Sequence, residues 1–122
     1  MATIKSYTDL QQSKKLAEIL PLESADMVYY YNKSNNTPIS QYPFIRTFKE
    51  KDTFSYLHCW SLAALLSVLS LPDLIQDKAD GELFWQCSVY NEDGTLLCET
   101  YDNNPIDACV AMIERLHELN LL

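Results

Sequence analysis

Cys59-Trp60-Ser61-Leu62-Ala63-Ala64-Leu65-Leu66-Ser67-Val68-Leu69 is a nearly unbroken apolar stretch in a chain of 122 residues. Leu62, Leu65, Leu66 and Leu69 recur at i, i+3, i+4 and i+7, the spacing that stacks side chains along one stripe of a helix. Ala63, Ala64 and Val68 widen the stripe, and only Ser61 and Ser67 interrupt it. A helix this apolar is expected inside, touching more than one neighbour. It is too short for a bilayer, which takes about 20 apolar residues. The stretch therefore reads as the central core helix of a small domain, with Pro72 marking its end.

Upstream, Thr8-Asp9-Leu10-Gln11 reads as a capping box, with Thr8 as the cap. The helix it starts carries Leu16, Ala17, Ile19 and Leu20 on one side and ends at Pro21, since proline disfavours helical geometry in the residue before it. Met27-Val28-Tyr29-Tyr30-Tyr31 has the aromatic and β-branched content of a strand. Residues 32–38 are dense in turn formers. A second strand is expected over residues 42–48, with Pro43 placing it at an edge or a strand start. Residues 49–52 form a charged link.

Downstream, residues 73–81 read as a polar connector with at most a helical turn. Asp93-Gly94 between the strand-like runs 83–91 and 96–101 is a strong hairpin signal. With those two residues as the turn, Tyr90 pairs with Leu97, Cys87 with Thr100 and Val89 with Cys98. One face then gathers Leu83, Trp85, Cys87, Val89, Leu96 and Cys98, and should lie on helices. The other gathers Phe84, Gln86, Ser88, Tyr90, Leu97, Glu99 and Tyr101. Finally, Asn104-Pro105-Ile106-Asp107 starts a helix, with Asn104 as cap, Pro105 in the first position and Asp107 at the positive end. Its buried stripe runs through Ile106, Cys109, Val110, Ile113, Leu116 and His117.

The order is α-β-β-α-β-β-α. The fold class is α+β: an antiparallel sheet of about four strands with helices on one face, in one domain over residues 1–122. Folding at this length buries roughly two-thirds of the surface of the chain, enough for a core without metal or disulfide.

Seventeen acidic and nine basic side chains give a net charge of −8. That argues against holding a phosphate backbone, which needs a basic patch. Met1-Ala2-Thr3-Ile4-Lys5-Ser6 has no apolar run, so no secretory signal is read there. The four cysteines are then expected as free thiols in a reducing cytoplasm. Cys59, Cys87, Cys98, Cys109, His58 and His117 lack the close spacing of structural zinc sites. The cysteines fall instead on positions assigned to the core. His58 and Cys59 are adjacent, which on a helix points them about 100° apart. With two glycines in all, no phosphate-cradling loop is readable. Neither a catalytic set, a metal site nor a cofactor is expected.

What remains is the mixed hairpin face. Phe84, Tyr90, Leu97 and Tyr101 beside Glu99 have the aromatic-plus-polar makeup of a contact surface. The alternative is that a further helix covers it.

Three segments are familiar together: Ser13 through Met27, Cys59 through Leu66, and Asp102 through Val110 with His117-Glu118-Leu119. They resemble a group of small uncharacterised proteins of Bacteroides-type gut bacteria, often found in phage-like or other mobile elements. The group carries no known functional residues to transfer. The resemblance implies a bacterial cytoplasm and a mobile-element accessory role.

The functional expectation is a small cytoplasmic non-enzymatic interaction domain. It acts on a protein partner or as a homo-oligomer, with neither nucleic acid nor membrane, through Phe84, Tyr90, Leu97, Glu99 and Tyr101. A small enzyme or ligand-binding domain with an unrecognised pocket is the second expectation, favoured by a concavity holding His117. An acidic decoy that mimics DNA is the third.

Overall fold

A computed structural model describes residues 5–46 and 54–122, the side chain of Phe54 excepted. Residues 47–48 of the expected second strand and the link over 49–52 lie outside the described residues. The fold is α+β. Its elements are α1 (Leu10–Ile19), a 3₁₀ turn (Leu22–Ser24), β1 (Met27–Asn32), β2 (Thr37–Pro38), β3 (Phe44–Ile45), β4 (Phe54–Cys59), α2 (Leu62–Val68), β5 (Pro72–Ala79), β6 (Glu82–Tyr90), β7 (Leu96–Asp102) and α3 (Pro105–Glu118). All pairing is antiparallel, and the strands divide between two sheets. In the first, β1 pairs with β4 on one side and with β2 and β3 on the other. The second has the order β5-β6-β7.

The apolar stretch 59–69 is not one central helix. Cys59 ends β4, Trp60 is a fully buried joint, and a helix of seven residues follows. Ser61 caps it by accepting from the Ala64 amide at 3.2 Å. Asp26, just before β1, takes both the amide (2.9 Å) and the hydroxyl of Ser61. This places the first helical residue, Leu62, three residues into the apolar run. Of α2 only Ala64 and Leu65 are buried, so the centre belongs to α3. That helix buries Ile106, Ala108, Cys109, Met112, Ile113 and Leu116. Its start is as expected: Asn104 accepts from the Asp107 amide at 2.8 Å, and Pro105 occupies the first turn. His117 is exposed rather than part of the stripe.

The cap of α1 lies one residue later than expected. Asp9 accepts from the Gln12 amide at 2.8 Å, and the Gln12 side chain accepts from the Asp9 amide at 3.1 Å. Thr8 is unavailable because its hydroxyl is buried against Ser13 and the Trp60 amide.

The expected connector 73–81 is instead strand β5, joined to β6 by Asp80-Gly81. Both turn residues have positive φ (52° and 83°), as a two-residue hairpin turn of the Asp-Gly type requires. The hairpin β6–β7 keeps the expected pairs Cys87–Thr100 and Val89–Cys98. The register then slips between Val89 and Tyr90, so Tyr90 faces Leu96 rather than Leu97. All four cysteines are free, and Cys59, Cys87 and Cys109 are buried. The hydrogen bond with Cys87, together with burial, pushes the Cys109 thiol up. Burial also raises that of Cys59.

A charged cluster ties α1 to α3. Lys5 donates to Asp9 (3.0 Å), Gln12 (2.6 Å) and Asp107 (3.0 Å). Gln12 and Asn104 also donate to Asp107, each at 2.6 Å. Burial pushes the Asp107 carboxyl up, but the bonds from Lys5, Gln12 and Asn104 outweigh it and hold the group below its ordinary value. A depressed carboxyl contributes stability above its unfolded value, near pH 4, that is lost as pH falls through the folded one. Asp107→Asn should therefore be less stable than the parent by about 1 kcal/mol at pH 6. The gap should close on acidification through that range. Thermal melts from pH 6 to 2.5 check this, and a gap independent of pH counts against the cluster.

Candidate functional site

Directly paired residues of an antiparallel sheet project to the same face, and alternate residues to opposite faces. The pairing of β5, β6 and β7 therefore sorts their side chains into two sets. The inner set includes Leu74, Trp85, Cys87, Val89 and Cys98, all of which belong to or pack on the core. Thr100 shares this side, and its hydroxyl donates to the Ala108 carbonyl of α3 at 2.7 Å. The helices thus lie on the inner face.

The outer face consists of three cross-strand rows. Asp73, Ser88 and Glu99 form one; Ile75, Gln86 and Tyr101 the next; Asp77 and Phe84 the third. Ile75 is 51% exposed and Tyr101 53%, so the face is open around the middle row, whereas Ser88 in the first row is buried. The Phe84 and Tyr101 rings meet at 5.8 Å with planes tilted by 59°. Glu99 accepts from Gln86 at 3.0 Å and from the Tyr101 hydroxyl, and Gln86 also donates to Ser88 at 3.1 Å. The bond to Glu99 raises the Tyr101 phenol above its ordinary value, because ionisation would set two negative groups together. A tilted ring pair and hydrogen bonds from Gln86 and Tyr101 to the neighbouring row hold this surface in one arrangement.

Of the five residues expected to form the contact surface, Phe84, Glu99 and Tyr101 come together here. Tyr90 and Leu97 do not, because the slip after Val89 turns that end of the hairpin. Leu97 packs on the core, and both line a groove on the helix side. Ile75, Asp73 and Asp77 join the face only because residues 72–79 form a strand.

The groove is the second feature of interest, with a volume of about 770 Å³. Leu20, Val68, Val89, Leu97 and Leu116 supply apolar wall, and His117 and Glu92 polar edge. Its border is shaped by the end of α3. Asn120 takes a positive φ of 57°, its amide donates to the His117 carbonyl at 3.1 Å, and the Leu121 amide donates to the Leu116 carbonyl at 2.8 Å. That double bond pattern is a Schellman stop, which folds Leu121 back beside Leu116.

Among the described residues, no group of three or more His, Cys, Asp or Glu side chains is placed to hold a metal ion. Nor, among the same residues, is any helix long and apolar enough to cross a membrane. No family model, curated protein or solved structure matches the chain.

Proposed function

We propose that this chain is a non-enzymatic interaction domain that holds a protein partner on the outer face of the β5–β6–β7 sheet. The observation that carries the reading is the exposed pair Ile75 and Tyr101, with the half-buried Phe84 ring against Tyr101, on a sheet whose other side is packed on helices. Large exposed apolar groups gathered with a polar surround mark contact surfaces rather than ordinary solvent-facing sheet. A cytoplasmic accessory role in a mobile element, the setting implied by the resemblance above, suits such a binding protein.

The test is Ile75→Ala combined with Tyr101→Ala. Both side chains are about half exposed, so their loss should change stability by no more than about 0.5 kcal/mol each. A partner found by affinity capture and titrated by calorimetry should bind the double variant at least tenfold more weakly, in line with the loss of central contact residues. An unchanged dissociation constant removes the face from the mechanism.

A second reading, a ligand-binding domain, rests on the groove. Its volume falls within the roughly 300–1,000 Å³ of small-molecule sites, with apolar walls and few polar groups. Its edge includes His117, exposed to solvent. The sheet face is preferred because its groups are held by defined contacts, whereas the groove brings no comparable set of hydrogen-bonded groups together.

A further inference from the structure

We propose, resting on the sheet-face reading above, that the partner is a cationic peptide segment carrying Lys or Arg side chains on either side of an apolar one. The register sets out the complementary pattern. The middle row, Ile75–Gln86–Tyr101, offers an aliphatic and an aromatic group. Carboxylates flank it: Asp73 and Glu99 in the row on one side, Asp77 in the row on the other. Strand geometry puts Asp73 and Asp77 about 13 Å apart along β5, and Asp73 and Glu99 about 10 Å apart across two strand spacings. No Lys or Arg stands in these rows, and Lys78 alternates to the inner face. Among the described residues, none of the three carboxylates is in an ion pair.

The charge distribution decides between occupants. A second copy docking by two-fold symmetry sets the same patch against itself, carboxylate against carboxylate, which costs rather than stabilises. A nucleic-acid backbone meets the same repulsion. A segment with separated cations and a central apolar side chain gains both terms: ring and aliphatic contact in the middle, ion pairing at the rim. Rim pairs of this kind act mainly on association rate and salt dependence.

The experiment pans a random dodecapeptide library, displayed on phage, against the full chain. Enriched peptides are then titrated against two variants of this face: Asp73→Asn with Asp77→Asn and Glu99→Gln, and Ile75→Ala with Tyr101→Ala. The proposal expects cationic peptides whose affinity falls about tenfold or more on neutralising the carboxylates, the sum of three exposed pairs. A comparable fall is expected between 50 and 500 mM salt. Peptides that need Ile75 and Tyr101 but carry no net positive charge, and ignore the neutralised variant, overturn the cationic partner and leave the face reading standing. Peptides indifferent to both variants, or no enrichment at all, overturn both.

Discussion

Trp60→Ala should lower the free energy of unfolding by about 4 kcal/mol, the usual cost of removing a buried large aromatic side chain. Trp60 is fully buried at the joint between β4 and α2. Its backbone is clamped on both sides by Thr8, whose amide donates to the Trp60 carbonyl at 2.9 Å and whose hydroxyl accepts from the Trp60 amide at 3.1 Å. Its indole N–H donates to the Ser24 hydroxyl at 2.9 Å. This one residue therefore joins the segment before α1 through its backbone, the 3₁₀ turn after it through its indole, and the buried core. With so many fixed neighbours the cavity left behind has little means of collapse, and the cavity penalty adds to the lost transfer energy. Against a typical total of roughly 5–15 kcal/mol, such a loss leaves a marginal protein. Urea unfolding followed by circular dichroism measures it, with Trp60→Phe as control. Phenylalanine keeps most of the volume and gives up only the Ser24 bond, so it should cost about 1–2 kcal/mol. A loss below about 1 kcal/mol for alanine means that the site collapses and that the joint is not where the two halves are held.

The fate of that same stretch shows why its reading went only part of the way. Leucines at i, i+3, i+4 and i+7 correctly indicate a helix. They do not reveal that Ser61 caps it, because the decisive group, Asp26, is 35 positions away in the chain. Local pattern also failed over residues 72–79. Only Pro72 and Leu74 of β5 are even half-buried, so the alternation that betrays a strand has almost no apolar residues to show it. The signal that was available is Asp80-Gly81, the same dipeptide that located the β6–β7 turn at Asp93-Gly94. Without β5, nothing in the sequence assigns Asp73, Ile75 and Asp77 to the candidate face. Phe84, Glu99 and Tyr101 were placed by hairpin parity alone. Parity misplaced Leu97, since a one-residue slip redirects a side chain and carries no composition of its own. The start of α3 was legible because its cap, proline and acidic residue are contiguous, and each acts within one turn.

Thr8→Val should cost about 2–3 kcal/mol, although it removes no volume and no charge. Thr8 is fully buried. Its hydroxyl lies 2.8 Å from that of Ser13, itself buried, and accepts from the Trp60 amide at 3.1 Å. The Tyr29 hydroxyl reaches the same point, donating to the Thr8 carbonyl at 2.8 Å. Burial, the largest cause, holds the Tyr29 phenol above its ordinary value, so it remains a donor across the neutral range. Among the described residues every buried side-chain nitrogen and oxygen has a partner. Valine keeps the shape but deletes the acceptor, which strands the Trp60 amide in a site closed to water. An orphaned buried donor costs about 1–3 kcal/mol, more than the net worth of the bond it made, and the weakened Ser13 contact adds to it. Thr8→Ser separates this from packing: it restores the hydroxyl and loses one methyl, for about 1 kcal/mol. Denaturant unfolding of the two variants should therefore rank valine well below serine. If serine is as damaging as valine, the methyl rather than the hydroxyl holds the joint, and the polar tie between Thr8 and Trp60 is not what fixes the chain start to α2.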